Sequence, residues 1–177
     1  MDSNSQLVLE DRSVRQRMGI RGEASSTWLE KNQYDVDDQP NSSQWQRDGS
    51  LVGRLSLTEL LWLSGPDDSL PPAGPDVGDD FRCYPVVRRD SHCWFVLSGR
   101  EAATMLSKIC GVDLSPDSFV DLRIAQTSVS RVGAIVVRAD KHKQLCFHIL
   151  VDSSYAAYFW ETLVDAGTEF ELEIAES

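Results

Sequence analysis

The chain has 177 residues, 41% of them hydrophobic and 25% charged, which suffices for one domain or two small ones with a proper core and no need of staples. Its formal net charge is −11, from 28 acidic against 17 basic residues, a field that repels phosphate backbones and anionic membranes. The acid reads as spread along the chain, no apolar run approaches membrane-spanning length, and the polar start MDSNSQLVLEDRSVRQR has no signal-peptide pattern. The four cysteines, Cys83, Cys93, Cys110 and Cys146, are scattered, so reduced thiols in a cytoplasmic protein are expected.

Residues 1–16 show little periodicity and are expected to form a mobile arm or a first irregular strand around Leu7-Val8-Leu9. The first half, 17–63, opens with Met18-Gly19-Ile20 and a helical stretch through Thr27-Trp28-Leu29. Arg54 to Leu63, RLSLTELLWL, fits a strand through Leu55 and Leu57 or a helix through Leu57, Leu60 and Leu61. Residues 64–80, rich in Pro, Gly and Asp, read as a linker to the second half, 81–177.

The second half begins with the clearest unit in the chain. The apolar run Trp94-Phe95-Val96-Leu97 reaches Ser98, and Glu101 stands three residues later, the spacing of a capping box. The stripe Ala102, Met105, Leu106, Ile109 and Cys110 follows at helical spacing, with Gly111 expected as a left-handed stop. Arg21-Gly22 and Thr27-Trp28-Leu29 can be laid on Ser98-Gly99 and Thr104-Met105-Leu106 at constant offset, and the turns DVDDQPN and DLSPDS match in the same order, which predicts a repeat.

Two β-type runs, Arg123 to Val129 and Val132 to Arg138, are parted by Ser130-Arg131 and predict a hairpin. Leu145 to Val151 alternates, with Cys146, His148 and Leu150 on a second, at least half-covered face. Ser153 or Ser154 is expected to cap a helix with the stripe Ala156, Phe159, Trp160 and Leu163, closed by Gly167. Phe170, Leu172 and Ile174 then predict a final strand. The fold class expected is α+β, with two pseudo-repeated halves. The second is a ferredoxin-like strand-helix-strand-strand-strand-helix-strand unit with an antiparallel-rich sheet.

Catalytic motifs are missing. His92, His142 and His148 lack metal-ligand spacing, and neither a nucleophile elbow nor a phosphate loop occurs. His92-Cys93 reads as a surface or hydrogen-bonded pair, and Asp79-Asp80 as solvated linker acids. No catalytic, cofactor-binding or metal-ligating residue is expected on this chain. Arg123, Gln126 and Thr127 interrupt an apolar strand and are either an edge or solvent face or the candidate partner contacts; Trp45, in a polar stretch, is either packed under a loop or a candidate interface anchor.

The series Trp94 to Gly99, Ala102-Ala103, Met105 to Lys108, Cys110, Val112-Asp113-Leu114 and Ala125-Gln126-Thr127 resembles the gamma subunit of heterotetrameric sarcosine oxidase. Ile149 to Ala156, Phe159-Trp160, Leu163 and Asp165-Ala166 resemble that family's ending; Arg21-Gly22, Trp28-Leu29, Pro40-Asn41 and Arg54 to Leu63 match more loosely. The family is similar to part of the glycine-cleavage T-protein, a folate-binding aminomethyltransferase. The resemblance implies a small non-catalytic subunit beside larger alpha, beta and delta subunits, which carry FAD, FMN, NAD, tetrahydrofolate and zinc and oxidatively demethylate a secondary amine such as sarcosine. A free-standing tetrahydrofolate-dependent aminomethyltransferase is the alternative, with Asp79 or Asp80 as its base. Asp152 stands where the family often has arginine, and the N-terminal arm is unusually polar.

Overall fold

The computed structural model describes residues 6–69 and 82–175, so most of the expected linker, including Asp79 and Asp80, lies outside the described residues. In chain order the strands and helices are β1 (Val8–Asp11), β2 (Arg17–Arg21), α1 (Ser25–Lys31), β3 (Ser42–Trp45), β4 (Leu51–Ser56), β5 (Glu59–Leu63) and β6 (Tyr84–Val87). They continue as β7 (His92–Ser98), α2 (Ala102–Ser107), β8 (Ile124–Val129), β9 (Val132–Arg138), β10 (Cys146–Asp152), α3 (Ala156–Gly167) and β11 (Glu173–Ala175). The fold is α+β, with mostly antiparallel sheets. The described residues divide into two compact units, one running to Ser13 and resuming at Ser91, the other spanning Val14–Asp90.

In the unit of Val14–Asp90 the sheet order is β3-β4-β5-β2-β6. Met18, Ile20, Val52, Leu60 and Trp62 project from one face, where Trp28 and Leu29 of α1 cover them. RLSLTELLWL is neither one strand nor one helix: β4 and β5 turn about Leu57-Thr58, and Leu57 at the tip is 71% exposed. In the other unit the order is β8-β9-β10-β7-β1-β11, and the expected succession β7-α2-β8-β9-β10-α3-β11 is present. Phe95, Leu97, Val136, Phe147 and Ile149 face Met105 and Leu106 of α2 and Phe159 and Leu163 of α3.

The two sheets carry one repeated plan. Each has four strands in the order β3-β4-β5-β2 or β8-β9-β10-β7, and each adds a lead strand antiparallel to β2 or β7. The leads are exchanged: β1 precedes β2 in sequence yet pairs with β7, whereas β6 precedes β7 yet pairs with β2. Ile20↔Pro85 and Leu97↔Leu9 are therefore equivalent pairs. Of the two expectations for the first residues, a mobile arm or a first strand around Leu7-Val8-Leu9, the strand is present: Leu7 and Leu9 are buried, and Leu9 has its partner almost ninety residues away, where periodicity cannot show it.

Gly22 and Gly99 close β2 and β7 at φ +136° and +127°, and a Cβ on either would collide with the carbonyl entering the exchanged lead strand, that of Arg82 or Gln6. Each glycine N–H donates to the residue before the next-but-two strand, Thr58 O or Leu145 O. Only glycine combines that backbone conformation with that approach.

Several expected caps are corrected. Ser98 is held in β7, opposite Val8 and Cys146, so the capping box with Glu101 does not form, and Glu101 itself precedes α2 without a side-chain cap. The helix ends at Ser107, and Gly111 is not left-handed; Cys110 instead bridges to Val129. Asp152, rather than Ser153 or Ser154, caps the 3-10 turn leading into α3, accepting from Ser154 N at 2.9 Å and Ser154 Oγ at 2.6 Å. Gly167 lies within the end of α3, where its approach to Leu172 leaves no room for a Cβ. The final strand is shorter than expected and Ile174 is 50% exposed.

Candidate functional site

β8 is the edge of its sheet; Gln126 and Thr127 belong to it, and Arg123 immediately precedes it. Arg123 and Gln126 are exposed and Thr127 is half-buried. Gln126 and Thr127 join His92, Ser128, Gly133, Ala134, Ile135 and Leu150 around a shallow depression of about 370 Å³; Arg123 stands apart from it, its carbonyl accepting Arg138 N. His92 Nδ1 lies 2.8 Å from Ser91 Oγ, and Cys93 turns to the opposite face, its thiol 3.5 Å from the Val151 carbonyl. The adjacent pair therefore cannot share a ligand. No group of three His, Cys, Asp or Glu suited to a metal occurs among the described residues.

A second depression, of about 530 Å³, lies beside the end of α1 and β3. Its walls bond to each other: Tyr34 Oη donates to Asp48 Oδ2 at 3.1 Å, and Gln46 accepts from Asp35 N at 3.0 Å while donating to Asp35 O at 2.7 Å. Burial pushes the Tyr34 phenol up. Trp45 lines this depression and is half-buried, whereas Trp28, Trp62 and Trp94 are core and Trp160 packs against it.

One polar cluster escaped the sequence reading. On the face of β7 and β10 away from the helices, Trp94 stacks on His148 at 5.7 Å and donates its indole N–H to His148 Nδ1 at 3.2 Å. Because tryptophan only donates, the imidazole proton sits on Nε2, which lies 3.8 Å from Cys146 Sγ. The Arg12 guanidinium stands 5.6 Å over the Trp94 ring and pairs with Glu10 through bonds of 2.7 and 2.6 Å.

A cysteine beside a histidine suggests a nucleophile, but the electrostatics run the wrong way. Burial pushes the Cys146 thiol up to about 12. Burial, aided by the charges of Arg12 and Lys141, pushes His148 down to about 3. An activated thiolate needs a depressed thiol beside a protonated imidazole; this pair stays neutral. The alternation of Cys146, His148 and Leu150 was the available signal, but Arg12 and Glu10 reach them only through the exchanged β1.

No protein-family model matches the chain, and no curated protein matches it. Among solved structures, a chain of the heterotetrameric sarcosine oxidase from Corynebacterium sp. U-96, in complex with pyrrole 2-carboxylate, is similar with a TM-score of 0.79 at 19% identity. That match covers 100% of this chain and 90% of the other. The glycine cleavage system aminomethyltransferase T from Bartonella henselae is similar with a TM-score of 0.70 at 14% identity, over 98% of this chain but 48% of the enzyme. This chain thus spans about half the length of the aminomethyltransferase, and at these identities the likeness is one of fold, shared with a heterotetrameric sarcosine oxidase chain and with part of a T-protein.

Proposed function

We propose that the chain is a small, non-catalytic subunit of a sarcosine-oxidase-type flavoenzyme complex that oxidatively demethylates sarcosine or a similar secondary N-methyl amine. Its partners are the larger alpha, beta and delta subunits; these carry the FAD, FMN, NAD, tetrahydrofolate and zinc, and this chain contributes to assembly. The observation that carries the reading is the two-way coverage: the likeness takes in all of this chain and 90% of a chain from a heterotetrameric sarcosine oxidase. The neutral Cys146–His148 pair supports a structural role, since it lacks an ionised nucleophile. The proposed assembly is cytoplasmic; no helix among the described residues is long and apolar enough to cross a membrane.

The purified chain is expected to be colourless in the flavin region and to release neither flavin nor folate on denaturation; one equivalent of either would overturn the reading. The likeness to a T-protein favours a second reading, a tetrahydrofolate-dependent aminomethyltransferase. Calorimetry separates the two: micromolar tetrahydrofolate binding, lost in Asp80→Asn, supports the transferase.

A further inference from the structure

The charge is less evenly spread than the sequence first reads. From Gln144 to Ser177 there is no Lys or Arg, and seven acids, Asp152, Glu161, Asp165, Glu169, Glu171, Glu173 and Glu176, account for seven of the net −11. α3 lies in this stretch. Phe159 and Leu163 bury one of its faces, while Ala157, Tyr158, Glu161 and Asp165 are exposed on the other.

The exposed face also carries aromatic area. Tyr158 is 48% exposed and Tyr155, just before the helix, 49%. Tyr158 is already oriented, with its hydroxyl 3.1 Å from Ser130 Oγ and donating to Ser130 O at 3.2 Å, at the β8–β9 turn. An exposed tyrosine fixed before contact loses little rotamer freedom on binding, and interfaces are enriched in tyrosine. Acids around such an anchor neither bury well nor help the fold here: of Glu161, Asp165 and Glu169 only Glu169 is ion-paired, with Lys108. Their shared sign steers a partner of opposite charge.

We propose that the solvent face of α3, with Tyr155 and Tyr158 as anchors and Glu161 and Asp165 as acidic rim, docks a Lys/Arg-rich face of a partner subunit. This deepens, and rests on, the reading of the chain as a subunit. It places the main contact on α3 rather than on the Arg123-Gln126-Thr127 edge.

The test immobilises the full chain and passes the co-expressed alpha, beta and delta subunits over it at about 50 and 300 mM salt. Wild-type chain is expected to bind, with affinity falling as salt rises. The double variant Glu161→Lys/Asp165→Lys should bind at least about tenfold more weakly at low salt and lose most of the salt dependence. Tyr158→Ala should weaken binding at both salts, whereas Gln126→Ala should leave it unchanged. Both positions are exposed, and Asp165 lies in the last turn of α3, where a lysine suits the helix dipole, so the double variant keeps its melting temperature. Wild-type affinity in the double variant overturns the docking face and leaves the subunit reading standing. No binding by the wild-type chain overturns both.

Discussion

Arg54 and Arg138 occupy equivalent places in the two repeats, in strands opposite Leu60 and Phe147, and both are buried. Each reaches back to the turn between helix and edge strand. Arg54 Nε donates to Asp37 O at 2.9 Å; Arg138 Nη1 donates to Phe119 O at 2.6 Å and Pro116 O at 3.2 Å, and its other nitrogens pair with Asp140 at 3.1 and 2.6 Å. The Asp140 bonds hold the Arg138 guanidinium above its ordinary range. Arg138→Met removes the donors and strands the buried Phe119 carbonyl, so urea unfolding should show a loss of about 3 kcal/mol. A loss below about 1 kcal/mol would mean that the turn holds itself. Gly22→Ala and Gly99→Ala should each cost more than about 2 kcal/mol, since strain and a backbone collision add; soluble expression and thermal melting at near wild-type levels would contradict the exchanged-strand contacts.

His148 has a pH signature. Its folded value, about 3, lies below its ordinary 6.5, so between these the unfolded chain binds a proton that the folded chain refuses. Its contribution is complete above about pH 6.5 and is lost as pH falls toward 3, at up to about 1.4 kcal/mol per pH unit. Carboxylates titrate in the same region, which makes the difference from His148→Gln the readout: the variant's stability should fall less steeply from pH 6.5 to 4.5. Parallel profiles would mean that His148 is already accessible to protons.

At the scale of elements, the β8–β9 turn places Ser130 and Arg131 at φ 49° and 67°, the left-handed pair of a tight hairpin. Arg131→Gly relieves that conformation and should raise stability by about 0.5–1 kcal/mol in urea melts; a decrease would show that the arginine side chain holds the turn. This hairpin was legible from two β-type runs two residues apart, and the Leu145–Val151 alternation likewise identified a strand with both faces covered. Elements were missed where spacing misleads. Ser98 and Glu101 have the spacing of a capping box, but sheet pairing keeps Ser98 from serving as a cap. Leu57 reads as core by either period, yet it sits at a hairpin tip.

Across the whole molecule, the upstream copy was visible because the helix aligned at one offset and similar turns followed in the same order, and the structure adds equivalent sheet orders and equivalent closing glycines. The exchange of β1 and β6 was not visible, since partners distant in sequence leave no local trace. The same cause hid the Arg12–Trp94–His148 cluster, assembled from β1, β7 and β10. Fold and function separate here: the plan is shared with a sarcosine oxidase chain and with half of an aminomethyltransferase, and a shared fold does not by itself carry a function.

Native mass spectrometry after co-expression with the alpha, beta and delta subunits of a sarcosine-oxidase-type complex decides whether this chain is a subunit. A heterotetramer containing one copy of this chain is expected, with the flavins retained on the remaining subunits when it is removed. A chain found only on its own, beside a flavoenzyme that assembles fully without it, would rule out the subunit role.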